Sequence, residues 1–399
     1  MGFKNIALIT KPFNTSEVDA AVTTIITLAQ QLQKKGHNPI IITGRGYKKY
    51  WGISRTKHFE KYRGIKIYRP YFIPWIRTRQ IFLDPTLFFN ILIAPVLAIR
   101  YVQKKEKIKF DILHTFGGSP IFALTPTLIK LFYSNSKIVH TIKSKSPRFA
   151  SKFFYKLLNS ADIITVPAKS IKKKLINQNV FSKIKIINSF IDFSKFKVYN
   201  KKSMRDELKL NLKSKIILYY GQFGEQKGVD VLLDAFNIIR NEIPDSQLIL
   251  VHPTYPLGKI KKKLQVELKK DRITYVEGRI NVSKYLSASD VLVLPYTNMN
   301  NTEITPLCIL ESICCRTPII TSDFPELFEI FEKNKDILSC KPNNFIELSK
   351  KIKFLLTNQK VKTRLINNSI KKLPNFDSIR IANELDKEYS QLVSNNRKI

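Results

Sequence analysis

Short apolar runs alternating with longer segments of helical periodicity constrain this chain more than any other feature. "NIALIT" (5–10) is followed by a helical stretch at 18–35, then Gly36 and "NPIIIT" (38–43). "FDILHTF" (110–116), "KIVHTIK" (137–143) and "ADIITVP" (161–167) continue the series. The second half repeats it with "KIILYYG" (215–221), "SQLILVH" (246–252), "RITYVEG" (272–278), "DVLVLPY" (290–296) and "TPIITSD" (317–323). Strands that alternate with helices make a parallel sheet covered on both faces. The expected fold class is therefore α/β, with two Rossmann-like halves of similar size. A length of 399 residues also exceeds what one core usually serves. The lysine-rich stretch 195–215 is the expected junction.

Apolar content of 44% and aromatic content of 11% support packed cores and exclude a disordered chain. The charge is the outlier, at 68 basic against 31 acidic residues, or +37. A surface that basic attracts nucleic acid, acidic lipid headgroups or phosphorylated substrates, unless the lysine enrichment is compositional drift. No nucleic-acid reader motif is present and the charges are spread along the chain, so no specific nucleic-acid partner is expected. The first residues, "MGFKNIALITKPF", read as a buried strand and lack the apolar length and cleavage site of a signal peptide. Cys308, Cys340 and the adjacent Cys314 and Cys315 have neither metal-site spacing nor a disulfide framework, and read as reduced core residues of a cytosolic protein.

Segment 62–109 fits neither half neatly, because aromatics interleave with arginines before fifteen uncharged residues (85–99) and a lysine cluster. Fifteen residues interrupted by Pro95 are too few to span a bilayer. Two readings stay open. One is a buried helix of the first domain. The other is an interfacial element with Phe72, Trp75, Phe88 and Phe89 at headgroup level and basic residues on an acidic membrane surface. The expected location is cytoplasmic, with peripheral attachment at the inner face of the cell membrane left open.

Two stretches carry chemistry. "KIILYYGQFGEQKGVDVLLDAF" reads as strand, glycine-containing turn and a helix from about Gly228, with Lys227 at the helix N-terminus where a phosphate is favoured. Its spacing is neither the dinucleotide G-x-G-x-x-G nor a P-loop. "NTEITPLCILESICCRTPIITSD" (301–323) sets Glu303 and Glu311 eight residues apart, too far around a helix to share one face. Pro306 suits a first helical turn and Thr305 can cap it, which leaves Glu303 in the preceding loop. Loop and helix can then hold a polyhydroxylated ligand at two points, with the first amides aimed at an anion between them. An exposed loop acid followed by a helix-surface acid is the bland alternative.

The order strand, G-Q-F-G-x-x-K-G, helix, then "SASDVLVLPY", then E-x7-E followed by "TPIITSD", resembles the second domain of the retaining GT-B glycosyltransferases, specifically glycosyltransferase family 4. The likeness covers almost the whole chain, through Asp111–His114, "IINSFID" (186–192) and a closing helix at 376–392. The resemblance implies two Rossmann-like domains whose parallel sheets face across a cleft: 1–198, completed by a C-terminal helix at 376–395 that crosses back, and 199–375. It implies a retaining transferase moving a sugar from a nucleotide-diphosphate donor, UDP- or GDP-linked, to an acceptor hydroxyl. The basic aromatic segment points to a glycolipid or lipid-linked glycan as acceptor. By matching position, Glu311 would bind the donor ribose, Glu303 the transferred sugar, and Lys227 the diphosphate. Gly221, Gln222 and the helix start at Thr305, Pro306 and Leu307 would help. Glu303, His114 at the cleft mouth and Lys143 would stand at the reacting centre. No cofactor or metal is expected, and no Asp-x-Asp occurs.

Several family positions differ. Gln222 stands where an arginine is usual, "ITP" (304–306) replaces G-F-G, Lys143 replaces a histidine, and "KPFNTSEVDAA" (11–21) replaces a glycine pair. Arg316 occupies the place of a helix-ending glycine, at a strain cost of about 1 kcal/mol. These changes keep a second reading open, a catalytically silent relative that binds a nucleotide sugar or serves as a scaffold. Non-specific nucleic-acid binding is a third. His140 is expected to face the core, and His37 to serve as a cation at a helix end.

Overall fold

The structure is a computed structural model and describes the chain except residues 1, 14, 16–19, 45–56, 72–84, 118–119, 144–151, 253–259, 268–269, 279, 301 and 397–399. Two compact units are present, Met1–Phe190 with Ser378–Ile399, and Ile191–Asp377.

The first unit holds eight strands: β1 (Asn5–Ile9), β2 (Asn38–Ile42), β3 (Phe59–Tyr62), β4 (Ile65–Tyr68), β5 (Ile112–Gly117), β6 (Lys137–Ile142), β7 (Ile163–Val166) and β8 (Lys183–Ile186). They form one sheet in the order β3-β4-β2-β1-β5-β6-β7-β8, parallel except at β3–β4. Between them run α1 (Ala20–Lys34), α2 (Pro85–Glu106), α3 (Leu124–Phe132), α4 (Lys152–Leu157) and α5 (Lys169–Asn177). In α1 the apolar spacing Val22, Ile25, Ile26, Ala29, Leu32 makes one buried stripe on the sheet. The β3–β4 hairpin was not expected from sequence. Its two-residue turn is Arg63-Gly64, both at positive φ (51° and 85°), and its strands are four residues long with lysines facing out. Pro95 does not interrupt α2, whose one face is buried through Ala94, Ala98, Ile99 and Val102. Phe72 and Trp75 lie outside the described residues, as does the side chain of Phe88.

The second unit contains α6 (Lys201–Glu207), β9 (Lys215–Tyr220), α7 (Val229–Glu242), β10 (Ser246–His252), α8 (Ile260–Glu267), β11 (Ile273–Glu277), α9 (Val282–Ala288) and β12 (Val291–Leu294). After them come α10 (Leu307–Cys314), β13 (Ile319–Ser322), β14 (Leu338–Cys340), α11 (Phe345–Thr357) and α12 (Gln359–Ile370). The sheet order β11-β10-β9-β12-β13-β14 is the doubly wound arrangement, with its reversal between β9 and β12. Alternate residues of each strand enter opposite cores: Ile217, Leu248, Leu250, Val291 and Val293 on one face, Ile216, Leu218, Ile249, Leu292 and Leu294 on the other. The stretch 195–215 is not the junction. Its helix α6 belongs to this unit because Lys201 and Arg205 pair with Asp290, at 2.7 and 2.8 Å, just before β12. The division falls instead at Phe190–Ile191.

The last helix, α13 (Ser378–Asn396), returns to the first unit, where Ile381, Ala382, Leu385 and Tyr389 pack against α1 and the sheet core. Its Asp386 meets Lys4 (3.3 Å), Lys35 (3.2 Å) and His37 (2.9 Å). Burial lowers the His37 pKa despite that carboxylate, so this ring is a neutral hydrogen-bonding partner and not the expected helix-end cation.

Candidate functional site

Doubly wound sheets bind ligands outside the carboxyl ends of the strands where the order reverses. In the second unit that point lies between β9 and β12, and the loops leaving these strands are pinned together. The Thr297 amide donates to the Gln226 carbonyl (3.1 Å), and its hydroxyl donates to the Glu225 carbonyl (2.9 Å). Gly228 sits at the contact with φ of 68°, and a Cβ there would lie 1.7 Å from the Pro295 carbonyl oxygen. Only glycine fits this approach. Gly221 ends β9, and the Tyr219 hydroxyl donates to the Gln222 carbonyl (2.6 Å), fixing the loop from beneath while the Gln222 side chain faces solvent.

These loops gather Lys227, Glu303 and Glu311. Lys227 closes a single 3-10 turn (Glu225–Lys227) ahead of α7; its ammonium donates to Thr302 Oγ1 (3.2 Å) and lies 4.9 Å from the centre of the Tyr296 ring. Burial lowers its pKa, opposed by Cys308 and by the Glu303 carboxylate. Glu311 projects from α10, and its Oε2 is buried without a hydrogen-bond partner among the described residues. Burial first, and the Glu303 charge second, push its pKa up to about 7. A desolvated carboxylate oxygen with no donor is an incomplete arrangement that ligand hydroxyls or amides would complete. A half-buried ammonium in the same loop cluster suits an anion.

Glu303 lies in the loop before α10, as the spacing suggested, and α10 itself departs from expectation at its start. Pro306 occupies the N-cap position and not the first turn, Leu307 is the first helical residue, and no side chain caps the helix. Thr305 is buried and does not act as the cap, because the fixed proline φ (−57°) with an extended ψ (133°) already turns the chain into the helix. At the other end Arg316 has φ of 57°, its amide donates to the Ile313 carbonyl (3.0 Å), and the Thr317 amide donates to the Ser312 carbonyl (2.9 Å). This is a Schellman ending with arginine in the left-handed position.

Tyr296, Thr302, Cys308 and Tyr220 belong to the same cluster and were missed in the sequence. Cys308 stands three residues before Glu311, one helical turn away, and that spacing was the available signal. Its thiol, pushed up to about 12 by burial and by Glu311, is a neutral lining group. Tyr296 follows directly on β12 and Pro295, a strand-end position that also marks it.

His114 and Lys143 lie in the first unit. His114, expected at an open cleft mouth, is instead fully buried. Its Nδ1 hydrogen-bonds with the Tyr389 hydroxyl and its Nε2 with Thr141 Oγ1, both at 2.6 Å, and the ring stacks on Phe116. Burial holds its pKa well below the ordinary histidine value. With both nitrogens engaged inside the sheet core, this ring fixes α13 to β5 and β6. His140 is also in the core, pushed down to about 4 by burial and bonded to Thr115. Lys143 follows β6 with its ammonium 5.4 Å from the centre of the Phe116 ring.

Two family models match the chain in succession: Glycosyltransferase Family 4 over residues 21–195 and Glycosyl transferases group 1 over residues 200–372. An uncharacterized glycosyltransferase of Haemophilus influenzae is 26% identical over 162 residues, 40% of this chain and 44% of the relative. The N,N'-diacetylbacillosaminyl-diphospho-undecaprenol alpha-1,3-N-acetylgalactosaminyltransferase of Campylobacter jejuni is 28% identical over 123 residues, 31% of this chain and 32% of the relative. The chain thus aligns with less than half the length of either relative. In fold it is similar to Anabaena Alr3699/HepE, solved in complex with UDP and glucose, with a TM-score of 0.72, 15% identity, and 96% and 99% of the two chains covered. Two doubly wound parallel-sheet units and both matching models lead to one assignment: the chain belongs to glycosyltransferase family 4, with the fold of the GT-B glycosyltransferases.

Proposed function

We propose that the second unit binds a nucleotide-diphosphate sugar and that the chain transfers the sugar, with retained configuration, to the hydroxyl of a glycolipid or lipid-linked glycan. The observation that carries this reading is the buried, unpartnered Oε2 of Glu311, in a loop cluster that also holds Lys227 and Glu303. Two vicinal ribose hydroxyls would donate to the Glu311 carboxylate, and the Lys227 ammonium would offset the diphosphate charge. Glu303 would hold hydroxyls of the transferred sugar, and the leaving diphosphate oxygen would take the proton of the incoming hydroxyl on the same face. Lys227 and backbone amides supply the positive potential in this scheme, so activity is expected to survive EDTA. Uracil is the base favoured by the UDP bound in the similar Anabaena structure, and a lipid-linked acceptor by the undecaprenol named in the Campylobacter relative. The net charge of +37 favours work at an acidic membrane surface.

Calorimetric titration with UDP- and GDP-sugars, for the wild type and Glu311→Gln, tests the site. Binding of one donor with a roughly 5- to 150-fold loss in the variant supports it, by the ~1–3 kcal/mol that an unmade buried hydrogen bond costs. Absence of binding to every donor would remove the reading. Donor binding without transfer or slow donor hydrolysis would instead mark a silent relative.

A further inference from the structure

In the first unit the outer face of α2 presents Ile93 (50% exposed) and Leu97 (40%), then Arg100 and Lys104, also exposed. The spacing 93, 97, 100, 104 keeps all four on one stripe, apolar first and basic after. α3 ends beside it in Leu131 (73%) and Phe132 (68%), and the next residue, Tyr133, donates from its hydroxyl to the Val96 carbonyl (2.8 Å). That bond sets the residue after α3 against the middle of α2, where Ile93 and Leu97 flank Val96 in sequence. α4 packs on α3, where Thr127 Oγ1 donates to the Leu157 carbonyl (3.0 Å), and adds exposed Phe153 between Lys152 and Lys156.

Among the described residues, no free carboxylate flanks these side chains. Between positions 85 and 191 the only acids are Glu106, Asp111 and Asp162. Glu106 is held by Lys66 and Tyr68; Asp111 accepts the Asn5 amide (2.8 Å); Asp162 accepts the Ile138 amide (2.7 Å) and pairs with Lys130. Large apolar side chains ringed by lysine and arginine, with the acids of 85–191 all engaged, suit a surface that is apolar beneath and anionic above. A second copy, also carrying +37, would meet this face with like charge.

We infer that the α2–α3–α4 face docks on an anionic lipid bilayer, with Ile93, Leu97, Leu131 and Phe132 entering the headgroup layer and Arg100, Lys104, Lys152 and Lys156 contacting lipid phosphates. The inference extends the lipid-linked acceptor reading by naming the surface that would bring the chain to its substrate. Among the described residues no helix is long and apolar enough to cross a membrane, so this attachment is peripheral.

The test is co-sedimentation of the full chain with phosphatidylglycerol or phosphatidylcholine vesicles, for the wild type and a Leu131→Ser/Phe132→Ser variant. Both residues are exposed, so the fold should hold, and circular dichroism checks it. The wild type is expected on phosphatidylglycerol and not phosphatidylcholine, with binding that weakens as salt rises and drops at least tenfold in the variant. No vesicle binding by the wild type, or equal binding by the variant, would overturn the inference. So would a dimer in sedimentation velocity that the variant converts to monomer without any lipid binding. UDP-sugar binding, measured on the same samples, separates the two readings: vesicle binding without donor binding removes the transferase and leaves the docking face standing.

Discussion

Glu311 shows how much one side chain can be asked to do. Its raised pKa means that the folded chain binds this proton more tightly than the unfolded chain. The stability it contributes is complete below the ordinary value of 4.5 and is lost as pH rises through about 7. Glu311→Gln removes the charge and keeps the shape, so the variant should be the more stable protein at pH 8, by roughly 3–4 kcal/mol at about 1.4 kcal/mol per pKa unit, and equal at pH 4. Urea denaturation at the two values checks this; a wild type that is more stable at pH 8 would mean the carboxylate already has partners. In the proposed donor complex the sign reverses, because the carboxylate accepts ribose hydroxyls in its charged form, so donor affinity should fall as pH drops below about 7. Tyr296 offers a second residue-scale case. Its ring lies under the Lys227 ammonium, an attraction of about 0.5–2 kcal/mol at a site of this burial. Tyr296→Leu should weaken nucleoside diphosphate binding roughly 3- to 30-fold while nucleoside binding is unchanged, and Tyr296→Phe should behave as wild type. Equal loss for nucleoside and diphosphate would show that the ring shapes the pocket and does not hold the lysine.

Helix α10 carries the same logic at the next scale, because it supplies Glu311 and its two ends obey different rules. Its C-terminus pays a backbone cost: Arg316 sits at φ 57°, where glycine has no Cβ penalty. Arg316→Gly should stabilise the chain by about 1 kcal/mol, read as a higher urea midpoint at unchanged slope. An unchanged or lower midpoint would mean the arginine side chain recovers the cost through contacts of its own. The residue order already showed this ending, since an apolar helix, a break at Arg316-Thr317-Pro318 and a new strand are local signals. The start was misread because Thr-Pro has two solutions. Proline can be the first helical residue with threonine as cap, or the cap position itself, and the choice depends on packing that buries Thr305. The same division runs through the fold. Long apolar strands such as Ile6–Ile9 and Leu248–Val251 were legible, because burial on both faces leaves continuous apolar runs. The hairpin β3–β4 and strand β8 were not, since lysines interrupt them. Lys227, Glu303 and Glu311 were singled out by spacing together with the family resemblance, whereas Tyr296 and Cys308 join their cluster only by the fold. His114 shows the opposite error, because a histidine on a strand carries no sign of whether its ring faces solvent or Tyr389.

At the scale of the molecule, the chain's last helix belongs to its first unit, and this has an energetic consequence. Ile381, Ala382, Leu385 and Tyr389 are all buried in the core around α1, and Asp386 compensates Lys4 and Lys35 and hydrogen-bonds His37. Removing residues 378–399 would delete Ile381, Leu385 and the Tyr389 ring from this core and open the α1 and sheet residues they cover to water, a loss of about 1.5–3 kcal/mol for each buried side chain of this size. It would also strand Lys4, now nearly buried with no carboxylate, and leave His114 Nδ1 without its hydroxyl. Together these are as large as a marginal stability of about 5–15 kcal/mol. The cores of Ile191–Asp377 contain no residue of α13, and the cluster of Lys227, Glu303 and Glu311 lies wholly within that unit. The truncated chain should therefore lose the first unit to limited proteolysis while a fragment near 191–377 survives and binds nucleotide diphosphate within a few-fold of the full chain. Proteolytic resistance of the whole truncated chain would show that α13 is dispensable to the first core. Loss of both units together would show that the second cannot stand without the first, and the proposed donor site would then have to be understood as a property of the intact protein.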